Sequence, residues 1–149
     1  MNYLNQSESA QRRVQRNQLM AEIFCAIYDN MKAKKVGNKR LVALSLTLTS
    51  GSPPYHVGFD RAYDMVKRIL HSPDKVTFKN QINQEMWMEI TKKVKCLMQN
   101  GHMSAAKAVP LVLENCRASR FFISKSHAWV IIKRELIRTN CARHYNIAA

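Results

Sequence analysis

The side chains best suited to chemistry in this sequence form no recognisable catalytic or metal-binding pattern. Cys141 and His144 have the spacing of one metal-ligand pair, but no second pair stands at zinc-finger distance, so we expect no metal. Ser126 and His127 are neighbours on a predicted helix and point in different directions, which argues against a nucleophile–base pair. Acidic residues are scarce, and no cluster of them could hold the magnesium of a nuclease. We therefore predict a non-enzymatic protein without cofactors.

Positive charge is the strongest functional signal in the sequence. The chain has 149 residues, with 24 Lys and Arg against 10 Asp and Glu, a formal net charge of +14. A field of this sign attracts polyanions, and the neutralisation of phosphates is the sequence-independent part of nucleic-acid binding. We therefore predict a nucleic-acid-binding protein, for DNA more than RNA, of a mobile element, phage or chromosome-organising system. The alternative is an assembly subunit that docks on a protein partner, or on its own copies, through its basic surface.

The basic residues gather at the start of the first predicted helix, in a loop after it, in two Lys-Arg pairs and near the C-terminus. The loop over residues 34–40 has one glycine and lacks the Lys-Ser/Thr of a P-loop, so phosphate contact is the better interpretation. From Arg117 to Arg143 there are seven basic residues and one acid, a balance of +6. The predicted nucleic-acid contacts are Arg12, Arg13, Arg16, Lys34, Lys35, Lys39, Arg40, Lys67, Arg68, Arg120, Lys125, Lys133, Arg134 and Arg138.

A motif that occurs twice organises the chain. Residues 52–70 and 118–136 align without a gap at an offset of 66, the difference between positions 128 and 62. Each copy has a short apolar run typical of a strand, then a capping residue, Gly58 or Ser124, then a helical pattern of apolar residues. The matched positions include Tyr55 with Phe121, Val57 with Ile123, Tyr63 with Trp129, and Lys67-Arg68 with Lys133-Arg134.

The second copy of the motif resembles the signature of a known family. The run Arg120-Phe121-Phe122-Ile123-Ser124, with Ala128 four residues on, is similar to the pattern P-x-P-R-F-Y-V-S-x-x-x-A. That pattern is duplicated in a family of short, basic, uncharacterised bacterial proteins of the Bacteroides group. The first copy departs from it, with Pro54-Tyr55-His56-Val57-Gly58 in place of the arginine-led form. The resemblance implies a repeat and a helical fold, but no activity.

We predict a mainly α-helical single domain over residues 1–149, with internal repeats over roughly 10–72 and 76–138. Each repeat is predicted to consist of a helix, a loop, a second helix, a short strand and a third helix. Residues 41–49 alternate like a strand and also fit a helix; we choose a helix because the counterpart at residues 107–116 has a helical pattern. Trp87 is expected at the flank of its helix, and the tail from Asn140 is expected to fray.

The two short strands are expected to pair with each other. An isolated buried strand leaves its backbone groups unbonded, so we predict an antiparallel ribbon between residues 55–57 and 121–123. Side chains alternate along a strand, which would turn His56 and Phe122 away from the core. We predict these two side chains as candidates for stacking on bases.

The remaining features concern the cellular compartment. Four cysteines lie far apart in the sequence and are expected to be reduced thiols. No run of 18 or more apolar residues predicts a membrane span, and the first residues lack the pattern of a signal peptide. We expect a cytoplasmic protein without a membrane partner.

Overall fold

The computed structural model describes residues 8–31, 38–50 and 52–147, which form six α-helices. The prediction of a mainly α fold is confirmed, and so is the choice of a helix for residues 41–49. Two short 3-10 turns, Pro73–Lys75 and Ala142–Tyr145, complete the regular structure of these residues. The helices are α1 Glu8–Asn30, α2 Lys39–Thr49, α3 Phe59–His71, α4 Gln81–Asn100, α5 Ala105–Asn115 and α6 Lys125–Arg138.

The chain divides into two compact units, and each unit is assembled from two distant stretches of sequence. Unit 1 combines Met1–Arg13 with Pro54–Ala118, and unit 2 combines Val14–Pro53 with Ser119–Ala149. Helices α3, α4 and α5 therefore belong to unit 1, while α2, α6 and most of α1 belong to unit 2. Each unit thus takes helices from both of the predicted repeats.

Unit 1 is held together by the apolar faces of α3, α4 and α5, which pack on one another. The buried side chains of α3 and α4 recur every three or four residues, as expected for helices with one core-facing side. Trp87 is 2% exposed and lies in this core, so the expectation that it flanks α4 is wrong. The buried residues of α3 are Ala62, Val66 and Ile69, and those of α4 are Met86, Trp87, Ile90, Thr91 and Val94.

The start of α3 is capped by residues from the start of α1. The Gly58 backbone N–H donates to Ser9 Oγ at 3.1 Å, and the Phe59 N–H donates to Glu8 Oε2 at 3.2 Å. These bonds satisfy donors that a helix N-terminus leaves open, and the carboxylate suits the helix dipole. A Cβ on Gly58 would lie 2.6 Å from Ser9 Oγ, so this close approach explains the glycine.

Unit 2 has an aromatic centre around Phe24. The ring centroids of Tyr28, Trp129 and Tyr145 lie 5.8, 5.7 and 6.0 Å from that of Phe24. Tyr145 is 5% exposed, and its hydroxyl donates to Asp29 Oδ2 at 3.2 Å. The expectation that the tail frays from Asn140 is therefore wrong, because Tyr145 anchors the tail in this core.

The predicted ribbon is not confirmed, because no strand occurs among the residues that the structure describes. Among the described residues, one isolated antiparallel bridge joins Pro54 to Arg117 within unit 1. In unit 2 the Phe121 N–H instead donates to the Leu48 carbonyl at 3.1 Å, and the Ile123 N–H donates to the Phe121 carbonyl at 3.0 Å. The predicted core residues of the two segments, Tyr55, Val57, Phe121 and Ile123, are all buried.

Candidate nucleic-acid interface

The first turns of α2 and α6 line a cavity of about 350 Å³ in unit 2. We call this cavity the Trp129 pocket. Neither first turn contains an acidic residue, so no carboxylate on these turns offsets the basic side chains there. Residues that line the pocket include Arg40, Leu41, Leu44, Lys125, Ser126 and Trp129.

Local sequence features fix where the two helices begin. Asn38, which precedes α2, has a left-handed backbone with φ 56°, a conformation that asparagine tolerates better than most residues. At α6 the Ser124 Oγ accepts a hydrogen bond from the His127 N–H at 3.3 Å, a standard N-terminal cap. The predicted start of α6 at Ser124 is confirmed, and the cap presents Lys125 and Ser126 to the pocket.

Trp129 holds two cations beside its ring. The Arg40 Cζ lies 5.5 Å from the ring centroid, and the Lys133 Nζ lies 5.9 Å from it. Both distances fall within the range of cation–π attraction, about 6 Å. Lys125, Trp129 and Lys133 follow one another at intervals of four on α6, so they share one face of that helix. The indole is half-buried and packs on Phe24, which fixes its position.

Cations in unit 2 outnumber the acids that could neutralise them. By sequence, unit 2 has 12 Lys and Arg against 3 Asp and Glu, a net of +9, while unit 1 has 12 against 7, a net of +5. Among the described residues of unit 2, Glu135 pairs with Arg138 at 2.7 Å and Asp29 with His144 at 3.2 Å. Seven basic side chains of this described part have no carboxylate at ion-pair distance, two of which are Arg120 and Arg143. The other five lie on α2 and α6, and we call them the unopposed cations: Lys39, Arg40, Lys125, Lys133 and Arg134.

Several predicted contacts belong to unit 1, where three of them are occupied by neighbours. Arg12 is partly buried and donates to Glu8 at 3.1 Å and to a backbone carbonyl at 3.2 Å. Arg68 pairs with Asp64 at 3.2 Å, and the Lys67 ammonium lies 4.9 Å from the centre of a tyrosine ring. Arg13 is exposed and lines a small cavity of unit 1 that also includes the partly exposed His56.

The other predicted contacts lie in unit 2 or outside the described residues. Arg16 donates to Asn17 Oδ1 at 3.0 and 3.1 Å. Arg120 donates to the Phe121 carbonyl, and its guanidinium lies 5.9 Å from the Phe122 ring centroid. Phe122 is only 6% exposed, so it does not present a free ring for stacking as predicted. Lys34 and Lys35 lie outside the residues that the structure describes.

The sequence did not indicate Trp129 as a site residue and gave it only as the counterpart of Tyr63 in the second motif. In the structure the indole packs on Phe24 and also lines the pocket. The signal available in the sequence was the tryptophan between Lys125 and Lys133 at intervals of four. The spacing of residues along α6 does not indicate the contribution of α2, because Arg40 and Leu41 are distant from Trp129 in the sequence.

The described part of the chain has no candidate metal site and no disulfide. There, no group of three or more His, Cys, Asp or Glu side chains could hold a metal ion, and all four cysteines are free thiols. Burial raises the pKa of the Cys25 thiol, which keeps it protonated at neutral pH. No helix within the described ranges is both long and apolar enough to span a membrane.

Comparisons with protein-family models, with curated proteins and with solved structures found no match. The resemblance of the second motif to the Bacteroides-type family therefore stays a prediction.

Proposed function

We propose that this protein binds nucleic acid, without catalysing a reaction on it, through the basic surface around the Trp129 pocket. The observation that carries the proposal is the set of five unopposed cations in unit 2. Bringing like charges together without acids is unfavourable in the free protein, and a phosphate backbone supplies the missing negative charge. The release of counterions from the nucleic acid then drives binding.

The spacing of the cations on α6 suits a polyanion better than a single small anion. Lys125 and Lys133 are eight residues apart, about 12 Å along a helix that rises about 1.5 Å per residue. A nucleic-acid strand advances about 3.4 Å per nucleotide in a duplex, so this distance covers three to four nucleotides. Arg40 adds a third charge beside Trp129, which stands midway between the two lysines in the sequence of α6.

We propose a cytoplasmic protein that serves a mobile element, a phage or chromosome organisation, with DNA as the preferred nucleic acid. Lys34 and Lys35 lie outside the described residues and stay predicted phosphate contacts. Arg13, Lys67 and Arg68 of unit 1 would make secondary contacts.

Salt-dependent binding tests this function directly. Affinity for duplex DNA, single-stranded DNA and RNA is measured at several salt concentrations between 50 and 300 mM. If three cations each contact a phosphate, log K should fall with log salt at a slope of about −2.7 for duplex DNA, from about 0.9 per contact. Single strands should give about −2.1, from about 0.7 per contact. A slope near zero, or no binding at the lowest salt, would exclude the function.

We also propose that the chain arose by internal duplication. Helices α2 and α5 have 11 residues each and begin at positions 39 and 105, which are 66 apart. Helices α3 and α6 begin at positions 59 and 125, again 66 apart. The residues that end α2 and α5, Ser50 and Cys116, have similar backbone angles, with φ −96° and −98° and ψ 145° and 148°. These correspondences support the offset found in the sequence.

A second candidate function, an assembly subunit, is favoured by one feature of unit 1. A cavity of about 700 Å³ there is lined by Met88, which is 47% exposed, and by Leu70, Lys92 and Lys95. An apolar side chain from an acidic protein partner would fit this combination of methionine and lysines. Purification after nuclease treatment separates the two candidates, because a stoichiometric partner that remains bound, and that Met88→Glu releases, favours assembly.

A further inference from the structure

We infer that the Trp129 pocket accepts one unpaired nucleotide, so that the surface prefers single-stranded nucleic acid to a continuous duplex. The inference rests on the proposed nucleic-acid function and specifies the form of nucleic acid that the surface takes.

The cavity itself is the first observation. Contacts to phosphates alone need only an exposed basic surface, whereas here Arg40 and Lys125 line a cavity of about 350 Å³. That volume lies in the range of about 300–1,000 Å³ that is typical of sites for small organic ligands. The occupant should therefore include a group that enters the hollow, as well as charges that contact its edge.

The lining of the cavity is the second observation. Leu41 is 56% exposed beside the half-buried indole of Trp129, so apolar surface remains open to solvent among the cations. Apolar walls do not favour a phosphate, but they favour the flat face of a base. Arg40 and Lys125 line the same cavity and can take the phosphate of the same nucleotide.

A single strand can supply such a group more readily than a continuous duplex can. In a continuous duplex the bases are paired and stacked, and taking one out costs a few kcal/mol. A single strand offers its bases without that cost, and proteins that bind single strands commonly combine a basic groove with aromatic platforms. The pocket has both features within one unit of the protein.

Fluorescence can test the inference, because the chain has only two tryptophans. Trp87 is 2% exposed in unit 1, and Trp87→Phe leaves Trp129 as the sole indole. This variant and the unmodified protein are titrated with an oligothymidine strand, a duplex of equal length and an abasic strand that keeps the phosphates. We expect the oligothymidine to quench Trp129 emission and the abasic strand to bind without quenching it.

Substitutions give a second, independent readout. Trp129→Leu should lower affinity for oligothymidine about 5- to 150-fold more than affinity for the abasic strand, the equivalent of about 1–3 kcal/mol for base–aromatic stacking. Leu41→Ser should reduce the same ratio. Leu46→Ser is the matched control on α2, since Leu46 is also exposed, at 45%, but does not line the pocket.

The outcomes separate this inference from the proposed function. Equal, salt-dependent binding of all three nucleic acids without quenching would exclude the nucleotide pocket and leave phosphate binding intact. No binding to any of them would exclude both. Displacement of bound oligothymidine by an acidic peptide with an aromatic side chain, without quenching by the strand itself, would assign the pocket to a protein partner and overturn the inference. If Trp129→Leu fails to fold, the titrations of the unmodified protein and of Trp87→Phe decide whether the pocket accepts a nucleotide.

Discussion

The Tyr55 hydroxyl donates a 2.8 Å hydrogen bond to the Glu89 carboxylate of α4. Lys93, one turn later on that helix, lies 2.8 Å from the same hydroxyl and 3.2 Å from the carboxylate. The ammonium also donates to the Arg117 carbonyl at 2.7 Å. Tyr55 is 1% exposed, so this network joins three segments of unit 1 around a buried phenol.

Removal of the Tyr55 hydroxyl should destabilise the protein. Tyr55→Phe leaves Glu89 and Lys93 without a shared partner in a partly buried place, which we expect to cost about 1–3 kcal/mol of unfolding free energy. Tyr63→Phe is the matched control, because the Tyr63 ring stacks on Phe59 and its hydroxyl makes no hydrogen bond within the described part of the chain. Urea unfolding of both variants measures the difference, and equal losses would show that the network adds no stability.

Stability should fall in alkaline solution more steeply than exposed tyrosines would cause. Burial raises the pKa of Tyr55 and Tyr145 well above the usual value of 10.0. Above pH 10 the unfolded chain loses these protons while the folded protein keeps them, so the unfolding free energy decreases as pH rises. Unfolding midpoints from pH 9 to 11 should show a shallower decrease in a double variant with both tyrosines changed to Phe. Parallel curves for the two proteins would contradict this prediction.

The cations of the Trp129 pocket should matter more than comparable cations of unit 1. Arg40→Gln and Lys125→Gln should each weaken binding to duplex DNA and reduce the salt slope by about 0.9. Arg61→Gln is matched to the first change, since the Arg61 guanidinium lies 5.9 Å from the Trp87 ring centroid in unit 1. Lys107→Gln is matched to the second, because Lys107 is also exposed in the first turn of a helix. If all four changes reduce the slope equally, binding is not localised at the pocket.

The C-terminal tail should contribute to the stability of unit 2. Tyr145→Ala removes a ring that lies 5.1 Å from Tyr28 and 6.0 Å from Phe24, and loss of a large core aromatic typically costs about 3–5 kcal/mol. Arg143→Ala, an exposed change in the same turn, should stay within about 0.5 kcal/mol. Thermal and urea unfolding provide the measurement. If both changes lower the unfolding free energy by a similar small amount, the tail does not contribute to the stability of unit 2.

The local features of the fold could be predicted from the sequence, because they depend on neighbours in the chain. Capping residues identified the starts of α3 and α6 at Gly58 and Ser124, and the helical pattern of the counterpart at residues 107–116 decided in favour of a helix at α2. The burial of Phe122 and Tyr145 could not be predicted in this way. Both side chains are buried by residues far away in sequence. The spacing of apolar residues along a strand or a helix does not identify those distant residues.

The candidate site was predictable only in part, for the same reason. Charge counting selected Arg40, Lys125 and Lys133, whereas their position around one indole depends on the packing of α2 against α6. Charge counting also selected Arg12 and Arg68, since composition does not show which arginines already have a carboxylate partner. The packing of α2 against α6 therefore forms a cavity between cations that the sequence alone does not indicate.

The division of each unit between distant stretches of sequence sets an order for events during translation. Unit 1 needs no residue beyond Ala118, so all of its residues leave the ribosome before α6 does. Unit 2 needs Ser119–Ala149, so the Phe24 ring of α1 lacks its neighbours Trp129 and Tyr145 until that segment emerges. A nascent chain stalled before that segment would expose Phe24 to chaperones and to aggregation.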